Sequence, residues 1–436
     1  MPADRREFLQ TATAAAALWA AGRDTHAAAS QAPVRLGLIG PGGMGSHHLS
    51  RLVHRKDVEI RWLCDVDRSR LQKAVDTVKS TTGKTPLADS DLRRVLDDPQ
   101  VEAVMIATPD HWHVPASLLA LAAGKHVYVE KPVSHNIREG QLLAAAVEKT
   151  GLVLQVGTQS RSTDFVREAV ERVRKGEIGE VLVAKAWNCQ LRTSIGKRES
   201  TPPPDYLDFD TWQGPAPRGE FRTNIHPANW RWWHAYGCGD IGNDGVHDID
   251  VALWGLNPGT HPNRVTSIGG KYFFDDDQEF PDTQYAICEY APSGSGGRAL
   301  QLVFEQRIWS PYTQEGYSNG GAFYGTEGML VIGHSHGWKM YGKRNKLIAE
   351  RTGRSDLDAH HKNFFDAIRT PGTKIHADIT AANQAATIVH LANISAQVGR
   401  TVNFDPQQET ILNDAEANAM IRREYETDHW SVPKGV

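Results

Sequence analysis

A glycine-rich turn between an apolar run and an amphipathic run is the feature that most constrains this fold. Residues 34–39 read Val-Arg-Leu-Gly-Leu-Ile, an apolar run of strand length, and residues 40–45 follow as Gly-Pro-Gly-Gly-Met-Gly. About twenty residues further on, a second apolar run ends at Asp65. A strand, a G-x-G-x-x-G turn, a helix and an acid closing the next strand are typical of a dinucleotide-binding βαβ unit.

Each residue type in this turn has a physical role beside a pyrophosphate. Gly40 permits the tight turn, Gly42 lets the backbone approach the phosphates, and Gly45 lets the helix pack close to the strand. The helix N-terminus offers free N–H groups and a positive dipole end. The Asp65 carboxylate can bind the ribose and repels a 2′-phosphate, which favours NAD, whereas nearby Arg68 leaves room for NADP. The cofactor contacts predicted here are Gly40, Pro41, Gly42, Gly43, Met44, Gly45, Asp65 and Arg68.

The order of apolar runs divides the chain into two parts. From residue 34 to about residue 157, strand-like and helix-like runs alternate, which predicts an α/β domain with a doubly wound parallel sheet. After residue 157, strand-like runs separated by hairpin signals predict an antiparallel meander. We therefore expect a Rossmann domain over residues 33–157. Residues 158–436 are expected to form an α+β domain for substrate binding and oligomerisation, with a large, mostly antiparallel open sheet.

The first thirty residues predict export rather than folded structure. Residues 5–10 read Arg-Arg-Glu-Phe-Leu-Gln, a twin-arginine pattern, and an Ala-rich apolar run and a small-residue cleavage site follow. A disordered Ala-rich tail is the alternative. We expect residues 1–30 to be a signal peptide, and the mature protein to work in the periplasm or otherwise outside the cytoplasm.

Charge and hydropathy exclude two classes of partner from the prediction. The formal net charge is −4 and no run of Lys and Arg forms a basic patch, so nothing favours nucleic-acid binding. No apolar stretch approaches the length of a membrane span. A small-molecule substrate is the expected partner.

Three loops must converge at the carboxyl edge of the first sheet, where ligands bind in this topology. They are the glycine loop, residues 108–113 and residues 130–132. Lys131, at a strand end beside a nicotinamide, can polarise a substrate hydroxyl or carbonyl and share its proton. The further cofactor contacts predicted around it are Thr108, Pro109, His111, His113, Glu130, Lys131 and Gln159.

His247 is the second candidate for proton transfer. It enters a predicted helix within residues 242–250, Gly-Asn-Asp-Gly-Val-His-Asp-Ile-Asp. Imidazole accepts a proton near neutral pH, and Asp244 or Asp250 could orient the ring. A helix-capping histidine is the alternative.

These motifs together resemble the family of glucose-fructose oxidoreductase, inositol dehydrogenase and MocA. The resemblance rests on the glycine loop with Asp65 and on residues 107–109 (Ala-Thr-Pro), 130–132 (Glu-Lys-Pro), 157–159 (Gly-Thr-Gln) and 323–328. It implies a Rossmann domain, a second domain with an open sheet, tightly held NAD or NADP, and sugar or polyol substrates. It also implies a homodimer or homotetramer. The catalytic lysine of the family falls on Lys131 and its distal histidine on His247.

One departure from the family pattern affects the predicted catalytic set. The usual acid stands four residues before the histidine, a position held here by Asn243, while Asp244 stands three residues before it. The predicted catalytic residues are Lys131, His247, Asp244 and Asn243. The predicted substrate contacts are Lys131, Arg161, Trp230, Arg231, His234 and His247, because planar donors and aromatic faces hold sugars.

Three functions remain open at this point. The first is an NAD(P)-dependent oxidoreductase acting on a CH–OH group of a sugar or polyol. The second is an NAD-dependent glycosidase or lyase that oxidises its sugar transiently, and the third is a sugar-binding protein without chemistry. Residues 333–337 match G-x-S-x-G, but a strand-like run follows, which predicts a hairpin turn rather than a hydrolase nucleophile. No convincing set of metal ligands stands at a fixed spacing, so no metal is predicted.

Overall fold

The computed structural model describes residues 32–292, 297–310 and 312–436. The predicted export segment, residues 1–30, lies outside this range. Within the range, no helix combines the length and the apolar character needed to cross a membrane.

The first part of the chain forms a parallel sheet of six strands. The strands are β1 Val34–Ile39, β2 Val58–Cys64, β3 Leu87–Asp89, β4 Ala103–Ile106, β5 His126–Val129 and β6 Leu154–Val156. Their order is β3-β2-β1-β4-β5-β6, which confirms the predicted doubly wound sheet. The order reverses between β1 and β4, and this switch point opens the crevice in which such sheets bind ligands.

Five helices connect these strands, and one of them starts earlier than the sequence suggested. They are α1 Gly43–Leu52, α2 Arg68–Thr82, α3 Leu92–Asp97, α4 Asp110–Ala122 and α5 Ile137–Thr150. The residues read from the sequence as a loop after β4 form the first turn of α4. Pro109 precedes that turn, and Asp110 places a carboxylate in it, where the helix dipole favours negative charge.

Two glycines of the turn after β1 occupy positions that exclude a side chain. Gly40 has φ +83°, and a Cβ there would lie 2.7 Å from the carbonyl oxygen of Ala107. A Cβ on Gly45 would lie 2.0 Å from the carbonyl oxygen of Gly40. The tight turn and the close contact between helix and strand predicted from the sequence are both present.

The second part of the chain is built on a sheet of ten strands. The strands are β7 Val181–Asn188, β8 Arg264–Gly270, β9 Thr283–Tyr290, β10 Leu300–Arg307, β11 Asn319–Gly325, β12 Gly328–Gly333, β13 Gly337–Gly342, β14 Lys346–Thr352, β15 Val402–Asp405 and β16 Thr410–Leu412. Their order is β14-β13-β12-β11-β7-β10-β9-β8-β15-β16. The sheet is mostly antiparallel, as predicted, but β7 lies between β11 and β10 and runs parallel to β10. It is therefore not a simple meander.

Helices cover one face of this sheet and leave the other open. The helices of the second part are α6 Asp164–Arg174, α7 Phe209–Gln213, α8 Val246–Leu256, α9 Leu357–Arg369, α10 Ile379–Val398 and α11 Ala415–Ala419. The side chains of α6, α8 and α10 form one core with the sheet. On the strands, Ile268, Tyr285 and Ile287 are exposed by 68%, 44% and 40%. The last helix, α11, is short, and an irregular segment follows it.

The two late helices α9 and α10 also complete the first domain. Phe364 and Phe365 of α9 pack into the core beneath β1 and β2, while Ala382 and Ala386 of α10 pack with side chains of β4 and β5. The main chain of Val156 in β6 donates a hydrogen bond to Ala377 before α10. Residues near the end of the chain therefore hold both sheets together.

The contact between Gly45 and the turn predicts an effect on stability. In Gly45→Ala the new methyl group would press on the Gly40 carbonyl, and overpacking of this kind typically costs about 1–3 kcal/mol. We expect a lower urea midpoint for unfolding of the first domain. Gly43→Ala is the matched control, because a Cβ there meets no atom within 4 Å. Equal midpoints for the two variants would contradict the close packing described here.

Candidate active site

A cleft of about 400 Å³ runs along the carboxyl edge of the first sheet and is closed by the second domain. It gathers most of the residues that the sequence singled out. The first-domain wall contains Gly40, Gly42, Gly43, Met44, Asp65, Thr108, Pro109, His113, Glu130, Lys131 and Gln159, and the facing wall contains Trp230, Arg231, Asn243, Asp244 and His247. Pro41 and Gly45 shape the turn from behind rather than lining the cleft.

The ammonium of Lys131 crosses the cleft to the second domain. Its Nζ donates a hydrogen bond of 2.5 Å to the main-chain carbonyl oxygen of Asn243 and lies 3.4 Å from Oδ1 of the same residue. Asn243 belongs to a π-helical turn, Ile241–Gly245, that leads directly into α8. Such wide turns recur at functional sites. Asn243, which stands where the resembled family has an acid, therefore accepts its hydrogen bonds from the lysine.

Glu130 supports Lys131 from inside the first domain. Its buried carboxylate accepts hydrogen bonds from Nε2 of His48 at 2.9 Å and from Nε2 of Gln159 at 3.1 Å. Burial raises the pKa of Glu130, but the hydrogen bond and charge of His48 and the charge of Lys131 outweigh it and hold the pKa to about 2. Glu130 is ionised at neutral pH and places a fixed negative charge next to the lysine.

His247 lies in the first turn of α8, buried at the cleft wall. Burial lowers its pKa well below the usual value, and the positive charges of Lys131 and His334 lower it further. The imidazole is therefore neutral near pH 7. Among the described residues, none forms a hydrogen bond with its buried Nδ1.

The acids expected to orient His247 are engaged elsewhere. Asp244 accepts a 2.8 Å hydrogen bond from Gln190 and a charge-assisted one from Arg192. Asp250 is paired with Arg161. The structure thus shows no hydrogen bond from Asp244, Asn243 or Asp250 to the histidine within the part of the chain that it describes.

A second histidine, missed by the sequence analysis, stands beside the first. The ring of His334 meets the ring of His247 edge-on, with 5.2 Å between centroids. Nδ1 of His334 lies 3.1 Å from Oδ1 of Asp248. His334 belongs to residues 333–337, which form the predicted hairpin turn between β12 and β13. No local motif indicates this position, because sheet register alone brings the turn to α8.

The cation that lies beside Asp65 is Arg70 rather than Arg68. The side chain of Arg68 turns away from the cleft and donates to the carbonyl oxygen of Asp205. Arg70 lines the cleft next to Asp65, and a Cβ on Gly42 would lie 2.1 Å from its guanidinium. Burial raises the pKa of Asp65 to about 6, against the opposing effects of the Asp67 amide and of Arg70.

The two histidines of the loop after β4 have different surroundings. His113 lines the cleft, with Nδ1 2.7 Å from the carbonyl oxygen of Pro132. His111 does not line it: Nε2 lies 2.9 Å from the carbonyl oxygen of Trp212, and Nδ1 lies 3.3 Å from that of Tyr236. Burial lowers the pKa of His111 to about 3, so the ring is neutral. It fastens the aromatic loop of residues 202–236 to the first domain rather than contacting a cofactor.

Two of the predicted substrate contacts, Arg161 and His234, do not line the cleft. Arg161 is buried and forms a bidentate pair with Asp250, with a shortest N–O distance of 2.7 Å. Its charge is therefore already compensated away from the cleft. His234 is exposed outside the cleft and packs on Phe280, with 4.2 Å between ring centroids.

Trp230 and Arg231, two further predicted substrate contacts, line the cleft. The Arg231 guanidinium lies 5.4 Å from the centre of the Trp230 ring. Its Nε is buried and has no hydrogen-bond partner among the described residues. An aromatic face and a guanidinium with unused donor capacity thus stand together on the second-domain wall.

The chemistry of the first-domain wall fits a dinucleotide. Gly42 caps α1 without a side-chain hydrogen bond, so the first N–H groups of the helix stay free for phosphate oxygens. Asp65 offers a carboxylate to the ribose at the end of β2. Among the residues described, no three His, Cys, Asp or Glu side chains cluster in a way that could hold a metal ion.

The pairing of His334 with Asp248 predicts a pH effect that can be measured directly. Burial lowers the pKa of His334, but the charge and hydrogen bond of Asp248 outweigh it and raise the pKa above its usual value. In Asp248→Asn, burial should prevail and the pKa of His334 should fall below its usual value. We expect NMR titration of labelled histidine to show this fall.

The same pairing fixes the sign of the stability effect. A raised pKa in the folded state stabilises the protein at low pH, and this contribution disappears as the pH rises through the folded pKa. Asp248→Asn should therefore cost more stability at about pH 5 than at about pH 8. Asp358→Asn, at an exposed pair with Arg51, is the control. An unchanged His334 titration in Asp248→Asn would show that the carboxylate does not set its pKa.

Comparison with known proteins agrees with this geometry. Residues 34–158 match the GFO_IDH_MocA oxidoreductase family with an NAD-binding Rossmann fold, and residues 345–432 match its C-terminal α/β domain. A protein named glycosyl hydrolase family 109 protein 1, from Shewanella sp. (strain MR-4), is 28% identical over 363 residues, which cover 75% of this chain and 73% of the relative.

Solved structures share the fold at low identity. Levoglucosan dehydrogenase in complex with NADH and levoglucosan superposes with a TM-score of 0.64 at 19% identity, covering 86% of this chain and 100% of the other. The WlbA dehydrogenase from Bordetella pertussis, in complex with NADH and UDP-GlcNAcA, gives 0.62 at 19% identity, covering 86% and 99%. The chain belongs to the glucose-fructose oxidoreductase, inositol dehydrogenase and MocA family, and it is an NAD(P)-dependent enzyme.

Proposed function

We propose that this protein oxidises a CH–OH group of a sugar or polyol and keeps its NAD(P) tightly bound. One observation carries the proposal: the ammonium of Lys131 and the neutral imidazole of His247 face the same cleft as the glycine loop and Asp65. The structural neighbours solved with NADH carry a sugar ligand in the same complexes. The substrate would lie between the two domains.

The first domain supplies the cofactor site in this proposal. The free N–H groups of α1 bind the pyrophosphate, and Asp65 binds the ribose and favours NAD, with Arg70 close enough to admit NADP. When bound, the nicotinamide provides the acceptor for a hydride from the carbinol carbon. The protein side chains then have to bind the substrate oxygen and remove its proton.

Lys131 and His247 divide that work. The Lys131 ammonium, already held at 2.5 Å by the Asn243 carbonyl, can donate a further hydrogen bond to the substrate oxygen. His247 is neutral and can accept the hydroxyl proton, and we infer that Nε2 does so because Nδ1 is buried. Its lowered pKa makes the imidazolium more acidic than usual, which favours release of the proton after the transfer.

Trp230 and Arg231 supply the substrate wall. An aromatic face packs against the C–H face of a pyranose, and a guanidinium with free donors binds hydroxyl or carboxylate oxygens. Both residues belong to the aromatic loop of residues 202–236 that His111 fastens to the first domain. The loop thus fixes the position of Trp230 and Arg231 relative to Lys131.

A second function is favoured by the relatives named as glycosyl hydrolases, which align over 75% of this chain. Oxidation of a sugar hydroxyl to a ketone acidifies the neighbouring C–H. Loss of that proton expels the glycosidic oxygen as an alcohol, water adds to the resulting double bond, and the hydride returns to the ketone. The glycosidic bond is cleaved with no net change in redox state, and Lys131 and His247 serve both schemes.

Location and assembly are further parts of the proposal. The twin-arginine pattern of residues 5–10 favours export with the cofactor already bound, because no free pool of nicotinamide nucleotide is expected outside the cytoplasm. The cofactor would then be recycled in place by a second sugar or by the same substrate. The exposed side chains Ile268, Tyr285 and Ile287 on the open face of the second sheet favour a homodimer or homotetramer.

One experiment separates the two functions. The nucleotide that co-purifies with the protein is identified by mass spectrometry, and the same sample is tested with a panel of free sugars and aryl glycosides. Absorbance of reduced nicotinamide together with an oxidised sugar supports the oxidoreductase. Release of the phenol without net reduction supports the glycosidase. A sample with neither activity on any substrate of the panel would overturn both.

Removing the amine of Lys131 should block the chemical step. We expect Lys131→Ala to slow single-turnover reduction of the bound cofactor by about 10²–10⁴-fold, the usual contribution of acid–base catalysis. Stopped-flow absorbance on cofactor-loaded protein measures this rate. Lys362→Ala, at an exposed lysine of α9, is the control and should keep the parental rate. A parental rate in Lys131→Ala would remove the role assigned to the amine.

Two arginines that the sequence could not distinguish should behave differently. Arg231→Met removes the guanidinium of a residue that lines the cleft, so KM for the substrate should rise about tenfold or more while stability stays unchanged. Arg161→Met leaves the buried Asp250 carboxylate unpaired and should cost about 3–5 kcal/mol of stability. Kinetics and urea unfolding of both variants provide the test. A KM effect confined to Arg161→Met would reverse these assignments.

A further inference from the structure

The C-terminal segment returns to the first domain and passes the rim of the cofactor cleft. After α11 it is tied to α5 at two points. Arg423 pairs with the buried carboxylate of Glu139 at 2.7 Å, and Arg138 donates a hydrogen bond of 2.8 Å to the carbonyl oxygen of Gly435. These contacts hold the segment between them, including residue 430, against the Rossmann domain.

Trp430 is the side chain of this segment that lines the cleft. Its ring is 38% exposed, and its centroid lies 5.8 Å from that of Trp112. The guanidinium carbon of Arg93 lies 4.5 Å from the Trp430 ring centroid, a cation–π contact. The indole is thus placed between α3 and α4 at the cleft rim.

Trp112 gives this indole a rigid neighbour. It is only 5% exposed, and its Nε1 donates a hydrogen bond of 2.9 Å to the carbonyl oxygen of Trp212. A Cβ on Gly214 would lie 2.1 Å from the Trp112 ring, so the space on that side is full. Trp112 is fixed by packing, whereas Trp430 rests on it with one side toward solvent.

Trp430 lies at the end of the cleft that is formed by the residues after the edge strand β3. The neighbouring cleft residues Ser90 and Leu92 follow β3, which is the edge strand beyond β2 and Asp65. Lys131 follows β5, on the other side of β1. In this topology the strands on the Asp65 side carry the adenosine half of a dinucleotide. Trp430 therefore lies at the adenosine end, away from the reacting groups.

We propose that Trp430 packs on the adenine of the bound dinucleotide and slows its release. A π face at the rim of the adenosine end has the chemistry to bind a purine, since stacking of bases on aromatic side chains is favourable and independent of sequence. The cation–π contact with Arg93 holds the indole, and the C-terminal anchors hold the segment. This inference rests on the tight retention of the cofactor in the proposed function and adds the residue responsible for it.

Dissociation of the cofactor tests the proposal without catalysis. The full-length protein is loaded with NADH and mixed with excess NAD⁺, and the decay of directly excited NADH fluorescence gives the release rate. We expect Trp430→Ala to release NADH about tenfold faster and Trp430→Phe to stay near the parental rate. Tyr312→Ala, at an aromatic residue 74% exposed outside the cleft, is the control and should match the parent.

A fragment of the cofactor tests where Trp430 acts. ADP-ribose contains the adenosine and pyrophosphate but lacks nicotinamide, so Trp430→Ala should weaken its binding in calorimetry by the same factor as that of NADH. Release of NADH at the parental rate from Trp430→Ala would overturn the proposal. Weaker NADH binding with unchanged ADP-ribose binding would overturn the placement at the adenosine end. Neither readout requires the sugar substrate of the enzyme, so a failed search for that substrate leaves this test intact.

Discussion

The hydrogen bond from the Lys131 ammonium to the carbonyl of Asn243 joins the two domains at the centre of the cleft. It requires the strand end of β5 and the π-helical turn before α8 to meet, so it forms only when both domains are folded and docked. The same turn leads into the helix that carries His247. The carbonyl that holds the amine and the imidazole that faces the cleft therefore belong to one continuous helical segment.

The buried titratable groups on the two sides of this contact are in different charge states. The ionised Glu130 stands behind the lysine and is itself bonded to His48, whose Nδ1 lies 2.8 Å from Nε2 of His361. Burial lowers the pKa of His361 to about 2, so this ring is neutral. On the far wall, His247 is kept neutral by burial and by neighbouring positive charges. A fixed anion thus lies behind the amine, and a neutral base faces it across the cleft.

Site residues that belong to local sequence motifs could be predicted from the sequence. Residues that reach the site only through packing between distant segments could not be predicted. Gly40, Asp65, Lys131 and His247 were found because each stands at a fixed offset from a strand or helix end. Four residues predicted from their type do not line the cleft, because a sequence does not show which side chains are already paired, buried or packed elsewhere; these are Arg68, His111, Arg161 and His234. The parallel pairing of β7 with β10 and the arrival of His334 and Trp430 depend on contacts between segments far apart in the chain.

The long helix α10 gives the molecule a mechanical property that follows from its burial. One side of it, including Ile388 and Val389, belongs to the core of the ten-stranded sheet, while Ala382 and Ala386 belong to the core of the parallel sheet. Because α10 is buried on both sides, it packs as a rigid element of both domains. A hinge motion between the two domains would expose the apolar side chains of one core to water. Cofactor and substrate must then enter the cleft through motion of surface loops and of the C-terminal segment, while the two domains keep their relative position.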